Sequence, residues 1–335
     1  MPRTTLTTTR TTPAASWATH HFRAMGCHIH FWLDAPGAST AEISAALHAA
    51  EQQFHTAEQR LSRFRTTSEL SRVNAQAGQW VAVSPLFWEV LVAAVQASAA
   101  TDGLFDPTLQ HALVAAGYDR SFEQLTTPSK PTPSVAHAST LGQWTAIELD
   151  EARQAVRVPA GVALDFGGIA KGYTAVLASR ELDKVGPNLV SAGGDLTAGN
   201  APHGSPGWPV GIADPFSPDK NLATLWLANA SLATSGIDYR RWLTNDPHGR
   251  GRSAHHIIDP RTGQPANTDL LTVTVWHRSA IVAETWATAV LVAGKKEGLG
   301  RLAVYDIAAM LITPHNHITL SWAMEPLVYW PDTKA

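Results

Sequence analysis

The order in which helical and strand-like patterns follow one another constrains the fold of this chain most. A capping box at Ser39 and Glu42 begins a run of apolar residues at steps of three and four, which predicts a helix to about residue 60. Ser84 followed by Pro85 predicts the start of a second helix, which runs to about residue 101. The later strand patterns come as hairpins and do not alternate regularly with helices. The chain is therefore predicted to be α+β, with mixed or antiparallel sheets and packed helices.

The strand and helix patterns of the remaining chain can be placed individually. Residues 165–186 and 280–294 are predicted to hold two helices that end at Gly186 and Gly294. The strand predictions are a short strand at 80–84, a hairpin at 145–150 and 154–158 turned by Glu151 and Ala152, a strand at 188–195 that enters a Gly-Gly turn, paired strands within 223–236, a strand at 270–277, and a closing hairpin at 308–313 and 318–324.

Composition excludes several classes of protein. The formal charge of −3 and the pI of about 6.6 do not indicate a nucleic-acid surface, and the single cysteine forbids an internal disulfide. No apolar stretch reaches the roughly 18 residues of a membrane span. The Thr-rich residues 1–18 lack the apolar core of a signal peptide and predict a disordered tail, so a cytoplasmic location is expected. Residues 19–335 are predicted to form one catalytic domain, with a Pro/Ser/Thr-rich loop near 126–139.

Four turns combine small residues with a carboxylate or a hydroxyl group. Neither a Walker A loop nor a G-x-G-x-x-G fingerprint occurs in the chain. Glycines let backbone N–H groups approach a ligand, and a helix N-terminus favours anions. Each turn alone is more simply explained as structural, but together they predict a large phosphorylated ligand held between several loops. The turns are at 102–108, 165–172, 192–195 and 233–236.

Two further patterns carry residue types suited to catalysis. His256 precedes a tight turn at 259–263 and is a candidate general base, because the ordinary pKa of histidine lies near neutrality. The alternative is that His255 and His256 flank a strand and pack. Glu284 and Thr288 are spaced i, i+4, so they share a helix face, and their oxygens suit a hard cation such as Mg²⁺. Alternatively, the threonine packs and the glutamate faces solvent.

The ordered set of motifs resembles the ApbE family, the FAD:protein FMN transferases. The resemblance covers about residues 22–313, and its most specific pieces are DFGGIAKGY and HIIDPRTG. The motifs that carry it are RAMGC, LSRFRTTSELSRVN, TDGLFDPT, LDFGGIAKGY, SAGGD, ATSGIDYRR, HHIIDPRTGQP and TVTVWHRSAIVAETWATAVLVAG. The resemblance implies an ApbE-like fold with the FAD site between loops of two subdomains. It also implies a Mg²⁺-dependent transfer of FMN from FAD to a Thr or Ser hydroxyl of an acceptor flavoprotein, with release of AMP.

The resemblance also implies a role for individual residues. His256 remains the candidate base that takes the proton of the acceptor hydroxyl. The residues matching FAD contacts are Met25, Phe64, Leu104, Phe105, Asp106, Asp165, Lys171 and Ile258. The residues matching the metal site are Gly168 and Ala287 through their carbonyls, Glu284 through its carboxylate and Thr288 through its hydroxyl. Acceptors of the family carry an Asp-x-Ser-Gly-Ala-Thr-like motif, which this chain lacks, so the expected acceptor is another protein.

Two residues depart from the family pattern and keep alternative functions open. The family usually has Asp at the position of Glu284 and Tyr at the position of Phe64. One alternative is a Mg²⁺-dependent FAD pyrophosphatase, in which water replaces the acceptor hydroxyl and FMN and AMP are released. Another is a protein that binds FAD without turnover. A redox flavoenzyme ranks last, because no nicotinamide fingerprint is present.

Overall fold

The computed structural model describes residues 4–6, 17–125, 142–245 and 251–331. These residues form helices and strands in an interleaved order. The helices are α1 Thr40–Leu61, α2 Glu69–Ala75, α3 Pro85–Ala100, α4 Gln110–Ala115, α5 Ala170–Leu182, α6 Ala280–Ala293 and α7 Lys295–Val304. The strands are β1 Thr4–Leu6, β2 Ala18–Ala24, β3 Cys27–Leu33, β4 Trp80–Ala82, β5 Glu148–Asp150, β6 Ala155–Arg157, β7 Asn188–Ala192, β8 Asp195–Ala198, β9 Trp208–Asp214, β10 Ser217–Leu227, β11 Ala230–Gly236, β12 Arg241–Asn245, β13 Gly251–His255, β14 Ile258–Asp259, β15 Gln264–Pro265, β16 Thr272–His277, β17 Ala308–Ile312 and β18 Ile318–Leu320.

A central sheet of eight strands organises the molecule. Its strand order is β18-β17-β16-β11-β8-β7-β3-β2, and every neighbouring pair is antiparallel. Successive side chains of a strand point to opposite faces, and β17 shows how this sheet uses both. Ala309 and Leu311 join the core beneath α6, whereas Met310 and Ile312 join the core on the other face. Both faces of the sheet are therefore covered, and its antiparallel strands with packed helices agree with the α+β prediction.

Helices cover one face of the central sheet and a second sheet covers the other. Helix α5 packs on β7 and β8, α6 packs on β11 and β16, and α1 packs against α5. The opposite face carries the three-stranded sheet β1-β9-β10, with Trp208 fully buried between the layers. Ten residues of α6 are buried, and a fully buried large apolar side chain contributes about 1.5–3 kcal/mol. Packing therefore holds α6, and the residues it presents, in a fixed position over the sheet.

A smaller unit lies beside this central stack. It consists of α2, α3 and the sheet β4-β6-β5, and shares one hydrophobic core. The ring of Phe87 on α3 meets the ring of Phe166 edge to face, with 5.3 Å between centroids. Phe166 lies in the turn that precedes α5. The core of the smaller unit therefore continues to the start of α5, which also packs on the central sheet.

Local sequence signals correctly predict several element ends. The capping box is present, because Ser39 accepts a hydrogen bond from the N–H of Glu42 while the Glu42 side chain accepts one from Ser39. Ser84 caps α3 by accepting a hydrogen bond from the N–H of Phe87, and Pro85 lies in the first turn of this helix. Gly294 closes α6 with a φ of 79°. These predictions succeed because each signal satisfies backbone groups that a helix end leaves unpaired.

Both predicted hairpins and the predicted Gly-Gly turn are present in the structure. β5 pairs with β6, and β17 pairs with β18. β7 and β8 are joined by Gly193 and Gly194, both with positive φ, as a two-residue hairpin turn requires.

The prediction that residues 223–236 form paired strands is wrong. β10 ends at Leu227 and pairs with β9, whereas β11 begins at Ala230 and pairs with β8 and β16. Asn229, with a φ of 48°, makes the connection. The chain thus crosses here from the outer sheet to the central sheet. β11 is largely buried, and β10 buries Ala223, Leu225 and Leu227, but neither local pattern identifies which strand each will pair with.

Helix α5 ends at Leu182, earlier than the predicted end at Gly186. The N–H of Gly186 still bonds the carbonyl of Leu182 at 3.1 Å, within an irregular last turn. A Cβ atom at Gly186 would lie 2.4 Å from the carbonyl oxygen of Asp34. The glycine is therefore needed for close backbone approach and not as a cap with positive φ.

Two predicted irregular segments lie largely outside the described residues. The predicted loop at 126–139 is one of them. Of the predicted tail at 1–18, Thr4–Leu6 forms strand β1 on the edge of β9, and Ala18 begins β2, so the prediction of disorder is wrong for these residues. Within the described ranges, none of the helices combines the length and apolar character needed to cross a bilayer.

Candidate active site

A cleft of about 390 Å³ opens where the start of α5 meets α6, β11 and the loops after α1 and α3. Its walls bring together residues that are widely separated in the sequence. The residues predicted from sequence that line it are Met25, Phe64, Leu104, Phe105, Asp106, Asp165, Gly168, Lys171, His256, Ile258, Glu284 and Thr288. Ala287 is the exception, because its side chain is fully buried in the core between α6 and the sheet.

Lys171, Glu284 and Asp195 form a charged group on one wall of the cleft, which we call the inner group. Lys171 Nζ donates to Glu284 Oε1 at 2.6 Å and lies 3.9 Å from Asp195 Oδ2. The other carboxylate oxygen of Glu284 accepts from the backbone N–H of Gly172 at 3.0 Å. Glu284 on α6 thus contacts the first turn of α5, and both of its carboxylate oxygens accept hydrogen bonds from that turn.

The electrostatics of the inner group favour a charged lysine. Burial by itself lowers the pKa of Lys171, but the carboxylates of Glu284 and Asp195 outweigh burial and hold this pKa above its ordinary value. The side chains of Lys171 and Glu284 are 16% and 6% exposed. The three side chains of the inner group together carry a formal charge of −1, and Arg240, which lines the same cleft, adds a positive charge nearby.

Two glycines at the start of α5 allow these close contacts. A Cβ atom at Gly172 would lie 2.6 Å from Glu284 Oε2, so a larger residue would push the carboxylate away. A Cβ atom at Gly168 would lie 3.1 Å from the ring of Phe105. The glycines of the GGIAKG stretch therefore serve packing against α6 and the loop after α3.

Three of the four residues predicted to hold a cation, Gly168, Glu284 and Thr288, line the cleft. Thr288 lies one turn after Glu284 on α6, and its Oγ1 is 2.9 Å from Ser235 Oγ on β11. Gly168 lines the same cleft. A carboxylate, a hydroxyl and a carbonyl are hard donors, so their chemistry suits Mg²⁺. Within the described ranges no three His, Cys, Asp or Glu side chains group around one point.

Arg63, Phe64 and Tyr118 form a second group in the cleft, which we call the outer group. Arg63 Nε lies 2.7 Å from Asp165 Oδ2, and its guanidinium carbon lies 4.1 Å from the centroid of the Phe64 ring and 4.5 Å from that of Tyr118. The N–H of Gly167 donates to Asp165 Oδ1 at 2.8 Å. Asp165 is therefore held in place by a guanidinium group on one oxygen and by the backbone on the other.

The segments after β2 and α3 complete the walls. Met25 has a φ of 52°, and its N–H donates to Glu58 Oε1 at 3.2 Å. Asp106 accepts two hydrogen bonds from Thr108, at 2.7 Å from its N–H and 2.5 Å from its hydroxyl. Burial raises the pKa of Asp106, and the bonds from Thr108 only partly oppose this shift. Asp106 is thus a buried acid fixed at the edge of the cleft.

The two adjacent histidines have different surroundings. His255 is buried at the end of β13, and its Nε2 lies 3.1 Å from the carbonyl oxygen of Ala266, so His255 packs as the structural alternative predicted. His256 is only partly buried and lines the cleft together with Ile258. Only the second histidine therefore has access to a ligand in the cleft.

Sequence reasoning missed part of the outer group. Arg63 and Tyr118 were not among the predicted site residues, although both line the cleft. The position of Arg63 directly before Phe64, inside a motif of the resemblance, was an available signal for the arginine. For Tyr118 no local signal exists, because its contact with Arg63 depends on the fold. Arg240, in the ATSGIDYRR motif, also lines the cleft and was not predicted.

Known proteins similar to this chain share one activity in their names. The sequence model of the ApbE family matches residues 25–311. The FAD:protein FMN transferase of Treponema pallidum is 30% identical over 321 aligned residues, covering 88% of this chain and 83% of that protein. A FAD:protein FMN transferase of Klebsiella pneumoniae is 26% identical, covering 94% of this chain and 89% of that protein.

Solved structures give the same relationship. The apo form of the flavinyl transferase ApbE of Pseudomonas stutzeri superposes with a TM-score of 0.77 at 25% identity, covering 93% of this chain and 96% of that chain. The ApbE protein of Thermotoga maritima superposes with a TM-score of 0.81 at 25% identity, covering 93% of this chain and 99% of that chain.

Proposed function

The chain belongs to the ApbE family, and from this premise we propose that it transfers FMN from FAD to a threonine or serine hydroxyl of an acceptor protein. We propose further that the reaction depends on Mg²⁺ and releases AMP. The observation that carries the proposal is the cleft, where every site residue expected from the family pattern except Ala287 lines one cavity. Because the lining runs from Met25 to Thr288, residues 19–335 are proposed to act as one catalytic domain.

The two groups of the cleft suit different parts of FAD. The inner group joins an ammonium to hard oxygen donors, which favours the pyrophosphate together with a divalent cation. The proposed holders of Mg²⁺ are the carboxylate of Glu284, the hydroxyl of Thr288, and the carbonyls of Gly168 and Ala287. When bound, this ion would supply positive charge to the phosphate oxygens. The proposed FAD contacts are Met25, Phe64, Leu104, Phe105, Asp106, Asp165, Lys171 and Ile258.

The proposed chemistry is a displacement at the FMN phosphorus. The acceptor oxygen forms a bond to this phosphorus, and the bond from phosphorus to the bridging oxygen breaks, so that AMP leaves with that oxygen. His256 takes the proton of the attacking hydroxyl, a contribution of about 10²- to 10⁴-fold for a positioned general base. Lys171 keeps its positive charge at neutral pH and stabilises negative charge on the phosphates.

The length of Glu284 is explained by its two partners. A shorter Asp side chain would withdraw the carboxylate by about 1.5 Å, the length of one carbon–carbon bond. The contacts to Lys171 Nζ at 2.6 Å and to the Gly172 N–H at 3.0 Å would then not both be retained without movement of α6. The glutamate therefore fits this particular spacing of α5 and α6, and a carboxylate remains at the proposed metal position.

A product assay tests the function. The purified protein is incubated with FAD, Mg²⁺ and a small acceptor domain that carries an Asp-x-Ser-Gly-Ala-Thr motif. Intact-mass spectrometry then measures the acceptor, and chromatography measures AMP and free FMN. Parallel reactions contain EDTA, or EDTA followed by excess Mg²⁺. The acceptor with its Thr replaced by Val is the matched control, because it keeps the size of the side chain and lacks the hydroxyl.

The expected result is a mass gain equal to FMN with one AMP released, both abolished by EDTA and by the Val acceptor. Free FMN and AMP with an unmodified acceptor would identify the pyrophosphatase instead. Intact FAD in every reaction, despite measurable FAD binding, would contradict turnover of this substrate with this acceptor and would favour the binding protein.

A further inference from the structure

Arg63 is a buried cation whose hydrogen-bonding capacity is only partly used. Its side chain is 6% exposed, and its Nε lies 2.7 Å from Asp165 Oδ2. Nη2 is covered by protein, and none of the described residues accepts a hydrogen bond from it. A buried donor on a charged group that lacks an acceptor is costly. A partner for Nη2 is therefore expected when the cleft is filled.

The surroundings of the guanidinium indicate where that partner enters. Arg63 lies against the rings of Phe64 and Tyr118. Tyr118 is 9% exposed and Phe64 is 43% exposed, so Phe64 is the ring that can move aside with the smaller loss of packing. An acceptor that reaches Nη2 would therefore come from the Phe64 side, where a planar ring can stack in the same group.

The charge of the pair indicates what kind of acceptor fits. Arg63 and Asp165 together are neutral, whereas the inner group joins one ammonium to two carboxylates. A phosphate gains less from a neutral pair than from an unpaired cation. The pair instead presents a donor, Nη2, beside an acceptor, the carboxylate of Asp165. This arrangement complements a ring edge on which an N–H lies next to a carbonyl or a ring nitrogen.

We propose that Arg63 is a binding residue which, together with Asp165, recognises the hydrogen-bonding edge of a heterocyclic ring of the nucleotide. The inference rests on the proposed flavin-dinucleotide function and adds to it the residue that selects the ring. Both ends of FAD carry such an edge, the imide of the flavin and the amino-pyrimidine of adenine. The shared chemistry is a planar ring edge with adjacent donor and acceptor, and the ligands used in the test distinguish the two ends.

The test compares wild-type protein with Arg63→Gln and Arg63→Lys. Glutamine removes the charge, whereas lysine keeps a charge that can pair with Asp165 but has no planar fork. Arg60→Gln is the matched control, because Arg60 is an exposed arginine near the end of α1 that pairs with Glu69, and neither residue lines the cleft. Dissociation constants are measured by fluorescence and competition for riboflavin, FMN, FAD, adenosine and ADP. Circular dichroism and urea titration establish that each variant is folded at the temperature of the binding measurement.

The expected result is a loss of about 10- to 100-fold in affinity for the ligands that carry one particular ring, the range for a hydrogen bond from a charged group. Weakened riboflavin, FMN and FAD with unchanged adenosine and ADP would assign the flavin edge. Weakened adenosine, ADP and FAD with unchanged riboflavin would assign the adenine edge. In both cases Arg60→Gln binds as wild type does, and Arg63→Lys is impaired although it keeps the charge.

Three results would overturn the inference. Weakening confined to the phosphate-bearing ligands, with riboflavin and adenosine unchanged, would identify a phosphate contact. Unchanged affinities in both variants would identify a purely structural ion pair. If Arg63→Gln does not fold, unchanged affinities of Arg63→Lys alone lead to the same conclusion. A wild-type protein that binds none of the five ligands would remove the proposed function together with this inference. Normal wild-type binding with unaltered variants would remove the inference alone.

Discussion

The inner and outer groups of the cleft contain similar ion pairs in different settings. In the inner group, Lys171 and Glu284 sit on α5 and α6, and both carboxylate oxygens accept hydrogen bonds. In the outer group, Arg63 lies in the loop after α1, one of its nitrogens has no hydrogen-bond acceptor among the described residues, and one of its aromatic neighbours is largely exposed. The inner group is thus complete without a ligand, and the outer group is not.

This difference predicts how each group responds to substitution. A residue whose partners are all within the protein contributes to stability, so its loss lowers the free energy of unfolding even without ligand. A residue with unused capacity contributes mainly when the ligand is present. Substitutions in the inner group should therefore affect folding and activity together, whereas substitution of the exposed Phe64 in the outer group should affect affinity more than folding.

The largest effect is expected from His256, the proposed base, which belongs to neither group. His256→Ala should reduce the rate of FMN transfer by about 10²- to 10⁴-fold, because the acceptor hydroxyl would lose its proton acceptor. FAD affinity should change little. Transfer is measured by intact mass of the acceptor, and affinity by flavin fluorescence.

His255→Ala is not an equivalent control, because His255 is buried and contacts the carbonyl of Ala266. His256→Gln keeps a polar side chain of similar length and is the better companion variant. An unimpaired transfer rate in His256→Ala would exclude His256 as the base.

The next effect concerns the stability of the inner group. Glu284→Ala leaves the Lys171 ammonium without its partner at 2.6 Å, and breaking a buried pair costs about 3–5 kcal/mol. Glu284→Asp keeps the charge and should lose less. Urea unfolding without ligand or metal measures both. Equal stability of Glu284→Ala and wild type would show that the pair contributes nothing to the fold.

Two residues of the inner group could be predicted, Lys171 from the resemblance to the ApbE family and Glu284 from its helical spacing to Thr288, whereas Asp195 was predicted only as part of a turn. Glu284 and Thr288 are one helical turn apart, and Lys171 lies in a motif with an unusual density of glycine. What the sequence could not provide is the bond that joins them, because the contact from Lys171 to Glu284 depends on how α5 and α6 pack. The same limit explains the wrong pairing of β10 with β11. Two adjacent apolar strands do not reveal that each belongs to a different sheet.

The outer group was only half predicted for a related reason. Phe64 and Asp165 match positions of the family pattern. Arg63, which contacts both, is not among the matched positions, and its place directly before Phe64 was the only indication of a role in the site. Predictions from sequence thus identified the residues with a shared pattern and missed Arg63, whose contacts with Asp165, Phe64 and Tyr118 depend on the fold. The ends of helices were predicted better, because a cap depends on three or four consecutive residues.

A smaller effect is expected from the exposed ring of the outer group. Phe64→Ala removes the face against which the Arg63 guanidinium lies at 4.1 Å. It also removes a ring on which a planar ligand can stack, and a contact between two aromatic rings contributes about 0.5–1.5 kcal/mol, so affinity for the ligand should fall by about 2- to 10-fold. Phe64→Tyr keeps the ring and should retain affinity. Titration with FAD measures both variants, and unfolding should change less than in Glu284→Ala. A larger loss of stability than of affinity would contradict the assignment of this ring to the ligand.

The smallest effect is expected from a residue outside both groups, and it serves as a reference for the effects of the site variants. Ser39 is exposed at the start of α1, and it exchanges hydrogen bonds with Glu42 across the capping box. Ser39→Ala should lower the free energy of unfolding by about 1 kcal/mol, because the N–H of Glu42 loses its acceptor. Ser39→Asp restores an acceptor and should recover most of this loss. Urea titration measures stability, and FAD titration should give unchanged affinity in both variants. If Ser39→Ala weakened FAD binding as strongly as Phe64→Ala, general loosening of the fold, and not contact with the ligand, would account for the outer-group effects.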